Sequence, residues 1–376
     1  MRPLVYSLFE RLEASFKHTG RGVCMGFVDS GFFPHADLVR PRRRIKAYAD
    51  ATRDQPAAAD FFSPQMWSWH GTMTACCAAG NGWLSGGRYR GLASEAEVVL
   101  IKAGVEDGQI LGKNVAHAIR FPLRYPHLNI RILNVSLGVS PGDPDIADVD
   151  AAVEEVVAAG ITVVAAAGNI PGRPPSGPGA AKSAITVGGG NDNNSPGTED
   201  DTLWPSSHGS PKPGVMKPDL IAPAIWVPAP MLPGTLTARE AAPLFQLLSV
   251  LEELSTDYGF SETRQIATPE ERASVNALME AVSARIARCK YISPDYQHVD
   301  GTSFAAPITA SVAAQMLEVD PTLTPAEVRE GLCSTARTLP KVDKSLQGAG
   351  VVRPRDAVEW AQKRIQKTKT AAKAAK

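Results

Sequence analysis

The sequence predicts an α/β protein built on a doubly wound, mostly parallel sheet with helices on both faces. Apolar, β-rich runs recur between residues 21 and 190, and helical patterns separate them. The runs are continuous rather than alternating, as strands covered on both faces require. A strand, helix, strand repeat of this kind gives right-handed crossovers and an open sheet. In such sheets the working residues gather at the carboxyl ends of the strands.

The strand runs are VCMGFV (23–28), EVVLIKA (97–103), IRILNVSL (130–137), ITVVAAA (161–167) and SAITVGG (183–189). Helices are expected over 71–80, about 109–123 and about 146–159, the last stopped by Gly160 as a C-cap glycine. From 190 to 234 Gly, Pro, Ser and Asn dominate around one apolar run, PDLIAPAIWV, which reads as surface loops about one further strand. Residues 235–290 then turn helical. TAREAAPLFQLLSVLEELS and TPEERASVNALMEAVSARIARC each open on a threonine cap and carry apolar residues at helical spacing, so they read as a two-helix insertion. Beyond it, VDGTSFAAPITASVAAQ opens a helix of small residues with Pro307 inside it, and TPAEVREGLCSTA starts another with Pro325 in the first turn after the Thr324 cap. The chain divides into an N-terminal extension (1–20), a main domain (21–362) carrying the insertion at about 235–290, and a lysine-rich tail (363–376) expected as a frayed, solvated helix.

Composition removes several function classes. With 376 residues, 44% of them hydrophobic, the chain can bury a sizeable core. Lys+Arg and Asp+Glu both total 39, so neither nucleic acid nor a membrane surface is expected as a partner. No apolar core of signal-peptide length precedes Glu10, and no later stretch approaches the ~18 uninterrupted apolar residues of a membrane span. A soluble, cytoplasmic protein is expected. The five cysteines (Cys24, Cys76, Cys77, Cys289, Cys333) are an odd number without metal-ligand spacing and read as reduced, mostly buried thiols. Cys76 and Cys77, as sequence neighbours, suit neither mutual pairing nor zinc.

Three short motifs complement one another. Asp29 ends the first strand in GFVDSGF, and an acid after five apolar residues is costly to bury alone, so it should be hydrogen-bonded or cap the Ser30–Gly31 turn. His70, in WHGTMTACCAAG, starts a helix whose small side chains let it press against the sheet. Ser303 starts another helix, where free N–H groups and the positive dipole end stabilise negative charge, and Gly301 leaves room for a substrate backbone. Each alone has a structural explanation; a serine at a helix start is ordinarily an N-cap. Together they supply what nucleophilic catalysis needs. A serine hydroxyl is a poor nucleophile until a neutral imidazole removes its proton, and that imidazole needs a carboxylate on its far nitrogen. All three stand at strand-to-helix transitions and would converge on one sheet edge. Asn169, after VVAAAG, projects beyond the same edge, where its amide can donate to an oxyanion beside the Ser303 N–H.

VDSGFFPHADL, HGTMTACCAAG, LNVSLG, VVAAAGN, KPDLIAPA and GTSFAAP resemble, in order, the signature blocks of the subtilisin-like serine proteases, or subtilases. The order Asp, His, Ser is also that family's order. The resemblance covers about residues 22–360, and GAGVVRPRDAV looks like the family's closing strand and helix. It implies that Asp29 orients, His70 acts as base and then acid, Ser303 attacks, and Asn169 polarises the scissile carbonyl. It also implies that an extended substrate adds as a β-strand between Ser136, Leu137 and Gly138 on one side and about Gly104 to Gly108 on the other. Ala166, Ala167 and Gly168, with residues 136–138, would wall a small uncharged pocket for a neutral residue before the cut. The implied activity is a serine endopeptidase acting through an acyl-enzyme. Alternatives are a peptide ligase or macrocyclase, an esterase, and a catalytically silent peptide binder, which would have no need of both base and nucleophile.

Departures from the family pattern carry their own expectations. Secreted members usually have a signal peptide and long prodomain, whereas only about twenty residues precede the first strand here, so the chain resembles an intracellular member. No cofactor is expected to be required. Asp37 matches a position that supplies a calcium ligand in many members, but the loop GNGWLSGGRYRG offers only Asn81 beside it. Trp67 and Trp69 crowd the approach to His70, either shaping the pocket or packing in the core, and Ala224 stands where the family usually has Gly. The insertion has no counterpart in the minimal pattern. Lying just before the nucleophile, it should emerge near the active site as a lid or a docking module for a regulatory partner, or else add stability alone.

Overall fold

Both faces of the central sheet are covered, and the strands show it residue by residue. In β1 (Cys24–Asp29) every side chain is buried: Met25 and Phe27 join one apolar cluster, Cys24 and Val28 the other. The computed structural model describes residues 5–53, 61–105, 108–260 and 268–374. With β2 (Ile45–Asp50), β3 (Glu97–Lys102), β4 (Ile130–Val135), β5 (Thr162–Ala166), β6 (Ile185–Asn191) and β7 (Leu220–Pro223), β1 forms a parallel sheet in the order β7-β6-β5-β4-β1-β3-β2. The pair Thr202–Leu203 adds antiparallel to β6. Strand β2 was not expected. It is the sheet's edge, with Lys46 exposed and three half-buried residues, so it lacks the continuous apolar run that marks the others.

One face packs against α1 (Ser68–Ala79) and the other against α2 (Gly112–Ile119) and α3 (Ile146–Ala158). The helix expected over 109–123 is α2 followed by a separate turn, Phe121–Arg124, that opens with Pro122. Gly160 lies just past the end of α3 at φ +90°, a conformation that favours glycine.

Within the stretch 235–290 the described residues form two helices, α4 (Leu236–Phe260) and α5 (Pro269–Arg288); residues 261–267 lie outside the described residues. Thr235, not Thr237, precedes α4, accepting the Arg239 N–H on its carbonyl at 3.0 Å. Thr268 and Glu271 form a capping box on α5. Phe245, Leu248, Leu251, Val282 and Ile286 give the pair its own small core. The pair rises from an antiparallel ribbon of β8 (Val227–Pro230) and β9 (Tyr296–Val299). Then α6 (Thr302–Val319) runs through the interior, buried on nearly every side.

Segments near both ends of the described chain are tied to the body of the molecule. Leu8, Phe9 and Leu12 join the main core, and Arg11 pairs with Asp192 through Nε at 2.9 Å and Nη2 at 2.6 Å. At the other end α7 (Pro325–Ser334) is followed by α8 (Pro354–Ala374), which crosses position 363 without a break. Among the described residues no helix is long and apolar enough to cross a membrane.

Candidate active site

Asp29 closes β1 at the carboxyl edge and is 1% exposed. Its Oδ1 accepts the Ser30 N–H at 2.7 Å and lies 2.8 Å from His70 Nδ1, while Oδ2 accepts from Thr74 Oγ1 at 3.2 Å. A carboxylate only accepts, so His70 Nδ1 carries the proton and Nε2 presents a lone pair. Gly71 makes this approach of α1 possible. A side-chain carbon there would lie 2.8 Å from Asp29 Cβ and run into the Gly31 carbonyl. The imidazole is 22% exposed. Its burial disfavours the charged form, but the Asp29 charge and hydrogen bond outweigh this and hold the His70 pKa above its ordinary value.

Ser303 is the second residue of α6, so its N–H has no acceptor four residues back within the helix. Phe304 packs on the His70 ring with centroids 5.6 Å apart, which sets the starts of α6 and α1 side by side. Asn169 is clamped from the same helix start: its Oδ1 accepts the Thr302 N–H at 3.0 Å and Thr302 Oγ1 at 2.9 Å. Gly168 N–H in turn donates to Thr302 Oγ1 at 3.0 Å. With Oδ1 fixed, Nδ2 is turned toward Gly301, where an added side-chain carbon would lie 3.3 Å from it. Gly301 has φ +130°, which glycine alone adopts readily, and its N–H is held by the Ala224 carbonyl at 2.7 Å.

One contributor was missed by sequence reasoning. Ser136 was expected to offer backbone, yet its buried hydroxyl donates to the Ser303 carbonyl at 2.8 Å and accepts from Asn134 Nδ2 at 2.8 Å. Pro307 lies four residues after Ser303 and has no N–H to give that carbonyl, so the proline was the available signal.

The remaining candidates lie around this edge. Leu137 is half-buried and Gly138 exposed; Ala166 and Gly168 are half-buried and Ala167 is buried. Gly104 is buried against Ser30, whose carbonyl an added side-chain carbon would meet at 2.7 Å, and it bridges to Ile110. Gly108 is exposed at φ +83°, and the Val105 N–H is donated to the Gln109 carbonyl at 3.1 Å. The tryptophans differ. Trp67 packs on Gly31 and its carbonyl accepts from Ser30 Oγ at 2.8 Å, whereas Trp69 is 42% exposed and edge-on to His70. Asp37 is away from solvent, with Oδ2 accepting from Tyr296 Oη at 2.7 Å. Asn81 spends its side chain on the Arg40 carbonyl at 2.6 Å and the Trp83 N–H at 3.1 Å.

The model of the Subtilase family matches residues 20–351. The chain belongs to that family. The Serine protease AprX of Bacillus subtilis (strain 168) is 29% identical to this subtilase over 350 residues, which is 90% of this chain and 67% of that protein. Two solved structures share the fold. A cold adapted subtilisin-like serine proteinase superposes with a TM-score of 0.57 at 20% identity, covering 90% of this chain and 89% of that one. A protease from Pseudoalteromonas arctica PAMC 21717 gives 0.62 at 21% identity, covering 95% of both chains. This subtilase is a serine protease, a hydrolase with the subtilisin-like α/β fold.

Proposed function

We propose that this subtilase is an endopeptidase that cuts extended segments of peptides and proteins through Asp29, His70, Ser303 and Asn169. The observation that carries the reading is the 2.8 Å contact of Asp29 Oδ1 with His70 Nδ1, beside the helix start that holds Ser303 and clamps Asn169. His70 Nε2 takes the Ser303 proton as Oγ attacks the carbonyl carbon. The resulting oxyanion accepts from Asn169 Nδ2 and the Ser303 N–H, and Asp29 stabilises the imidazolium. The proton then passes to the leaving amine, and water repeats the sequence on the acyl-enzyme. Residues 136–138 on one side and Gly104 and Gly108 on the other would bind the substrate as an added strand, residues 106–107 between them lying outside the described residues, and the small walls at Ala166, Ala167 and Gly168 favour a neutral residue before the cut. None of these steps calls for a cofactor. Five free cysteines suit a cytoplasmic setting, and α4 and α5 would receive a regulatory partner.

A fluorophosphonate probe tests the assignment. It should label the wild type and not Ser303→Ala, with peptide products whose masses sum to substrate plus one water. Labelling that survives in Ser303→Ala, or none in the wild type, would overturn it. Products joined end to end would assign ligation instead.

A further inference from the structure

The helical insertion and the body of the protein enclose a cavity of about 490 Å³ whose lining includes none of Asp29, His70, Asn169 and Ser303. Its walls are apolar: Phe245 and Leu248 from α4, Met279 and Ile286 from α5, Ile292 beyond α5, and Trp226 just ahead of β8. Ser283 and Ala287, exposed on α5, form the rim. Packed interiors leave few gaps larger than a water molecule, whereas small-molecule sites run to roughly 300–1,000 Å³ with apolar walls and a few polar groups. The polar groups here decide what fits. Lys290 pairs with Asp300 and stands 4.9 Å over the Trp226 ring, and Glu252 is not free either. Tyr291 Oη donates to Glu240 at 2.8 Å. His298 differs. Its Nδ1 lies 2.8 Å from the Trp226 carbonyl, which only accepts, so Nδ1 carries the proton and Nε2 keeps a lone pair. That Nε2 has no hydrogen-bond partner among the described residues. Burial pushes the ring's pKa down to about 4 against its hydrogen bond to Trp226, so it stays neutral. The lining thus offers a fixed acceptor and no charge without a partner.

We propose that this cavity is an effector site for a neutral aromatic molecule carrying one N–H or O–H donor, which sits between Trp226 and Phe245 and donates to His298 Nε2. Aromatic walls favour a ring, and the unfilled lone pair calls for a donor. A charged ligand would bury its own charge unpaired or take Lys290 from Asp300. Occupancy should be transmitted to the loop leading to Ser303. Trp226 and Lys290 both have φ +58°, strained for side chains of this size, and such strain gathers at ligand clamps and switch regions. Both also hold Asp300, the Trp226 N–H donating to its Oδ1 at 3.2 Å and Lys290 pairing with its Oδ2. A ligand packed on these two residues adds contacts that hold them in place, and with them the loop. The effect on turnover rests on Ser303 being the nucleophile, as proposed above; the binding does not.

The probe is N-phenyl-1-naphthylamine, a neutral aromatic amine with one N–H whose fluorescence rises in apolar surroundings. Full-length Ser303→Ala protein should bind one molecule per chain, with Tm rising as free amine increases. Its sulfonated analogue, 8-anilinonaphthalene-1-sulfonate, should bind at least about tenfold more weakly because it carries a charge. 1-Phenoxynaphthalene, with an ether oxygen in place of the N–H, should compete roughly five- to tenfold less tightly, and that preference should vanish in His298→Phe. Ala287→Trp, which fills the rim from an exposed position, should abolish binding. In the wild type, saturating amine should raise kcat on a short peptide with KM unchanged, and Ala287→Trp should remove the effect. No saturable binding, equal affinity for the sulfonate or the ether, or binding retained by Ala287→Trp would overturn the site; the ligand comparisons need no variant to fold. Binding that leaves kcat unmoved would overturn the link to Ser303. Wild type that binds the amine yet turns over no peptide would support the site and fault the peptidase reading.

Discussion

Two opposed effects set the proton at His70. Burial disfavours the imidazolium and Asp29 favours it, and Asp29 prevails, so the pKa lies above the ordinary imidazole value. In the proposed mechanism the attack needs neutral imidazole, so kcat/KM should fall as pH drops through the raised His70 pKa, read from a pH–rate profile on a short peptide. The stability sign is the reverse. A pKa raised by folding stabilises fully below the unfolded value, and the contribution disappears as pH rises through the folded one. Asp29→Asn should move the acid limb down and cost about 10⁴ in kcat. A wild-type acid limb that Asp29→Asn leaves in place would contradict the pairing of Asp29 with His70. Asp29, His70, Ser303 and Asn169 were legible in the sequence because each stands in a short motif whose neighbours are constrained by contact: Gly71 against Asp29, Gly301 against Asn169. The Ser136 hydroxyl and the Tyr296 bond to Asp37 were not. Their partners lie 167 and 259 residues away, a pairing that only the assembled sheet and ribbon create.

Pro307 shows how an element can be shaped for one of its residues. In a regular helix its N–H would meet the Ser303 carbonyl; proline has none, yet α6 continues unbroken. Ser136, just past β4, donates to that carbonyl instead, so the missing donor is what lets the Ser303 peptide unit be tied to the sheet. Pro307→Ala would restore an intrahelical competitor and should lower kcat more than it lowers Tm. Ser136→Ala should cost about 1–3 kcal/mol by leaving a carbonyl unsatisfied. Because both act on one carbonyl, the double variant should lose less kcat than the two single losses combined; independent, multiplying losses would refute the coupling. Continuous apolar runs marked the covered strands, while β2 carries an exposed lysine and β8 contains Pro228 and Pro230, which argue against a strand except at an edge.

At the scale of the whole molecule, Asp300 joins three parts of the chain immediately before Gly301. Its Oδ1 accepts the Trp226 N–H at 3.2 Å, and its Oδ2 pairs with Lys290 at the exit of α5. Arg11, from the N-terminal segment, holds the Trp226 carbonyl at 2.6 Å and the Ile225 carbonyl at 3.0 Å. The N-terminal segment and the insertion thus both bear on the loop leading to Ser303. The ribbon shows where the insertion can be removed: Pro230 pairs with Tyr296, and the Met231 N–H donates to the Asp295 carbonyl at 2.7 Å. Replacing residues 232–294 with Asn-Gly would close β8 and β9 as a two-residue hairpin. If α4 and α5 act as lid or docking module, this variant keeps its turnover of a short peptide and changes its rate on a folded protein. Unchanged rates on both would reduce the insertion to a stabilising element. Lys290→Met gives a milder probe should the excision not fold. The pair it breaks is about one-third exposed, so roughly 0–1 kcal/mol of stability is at stake, and a larger effect on kcat than on Tm would come through Asp300.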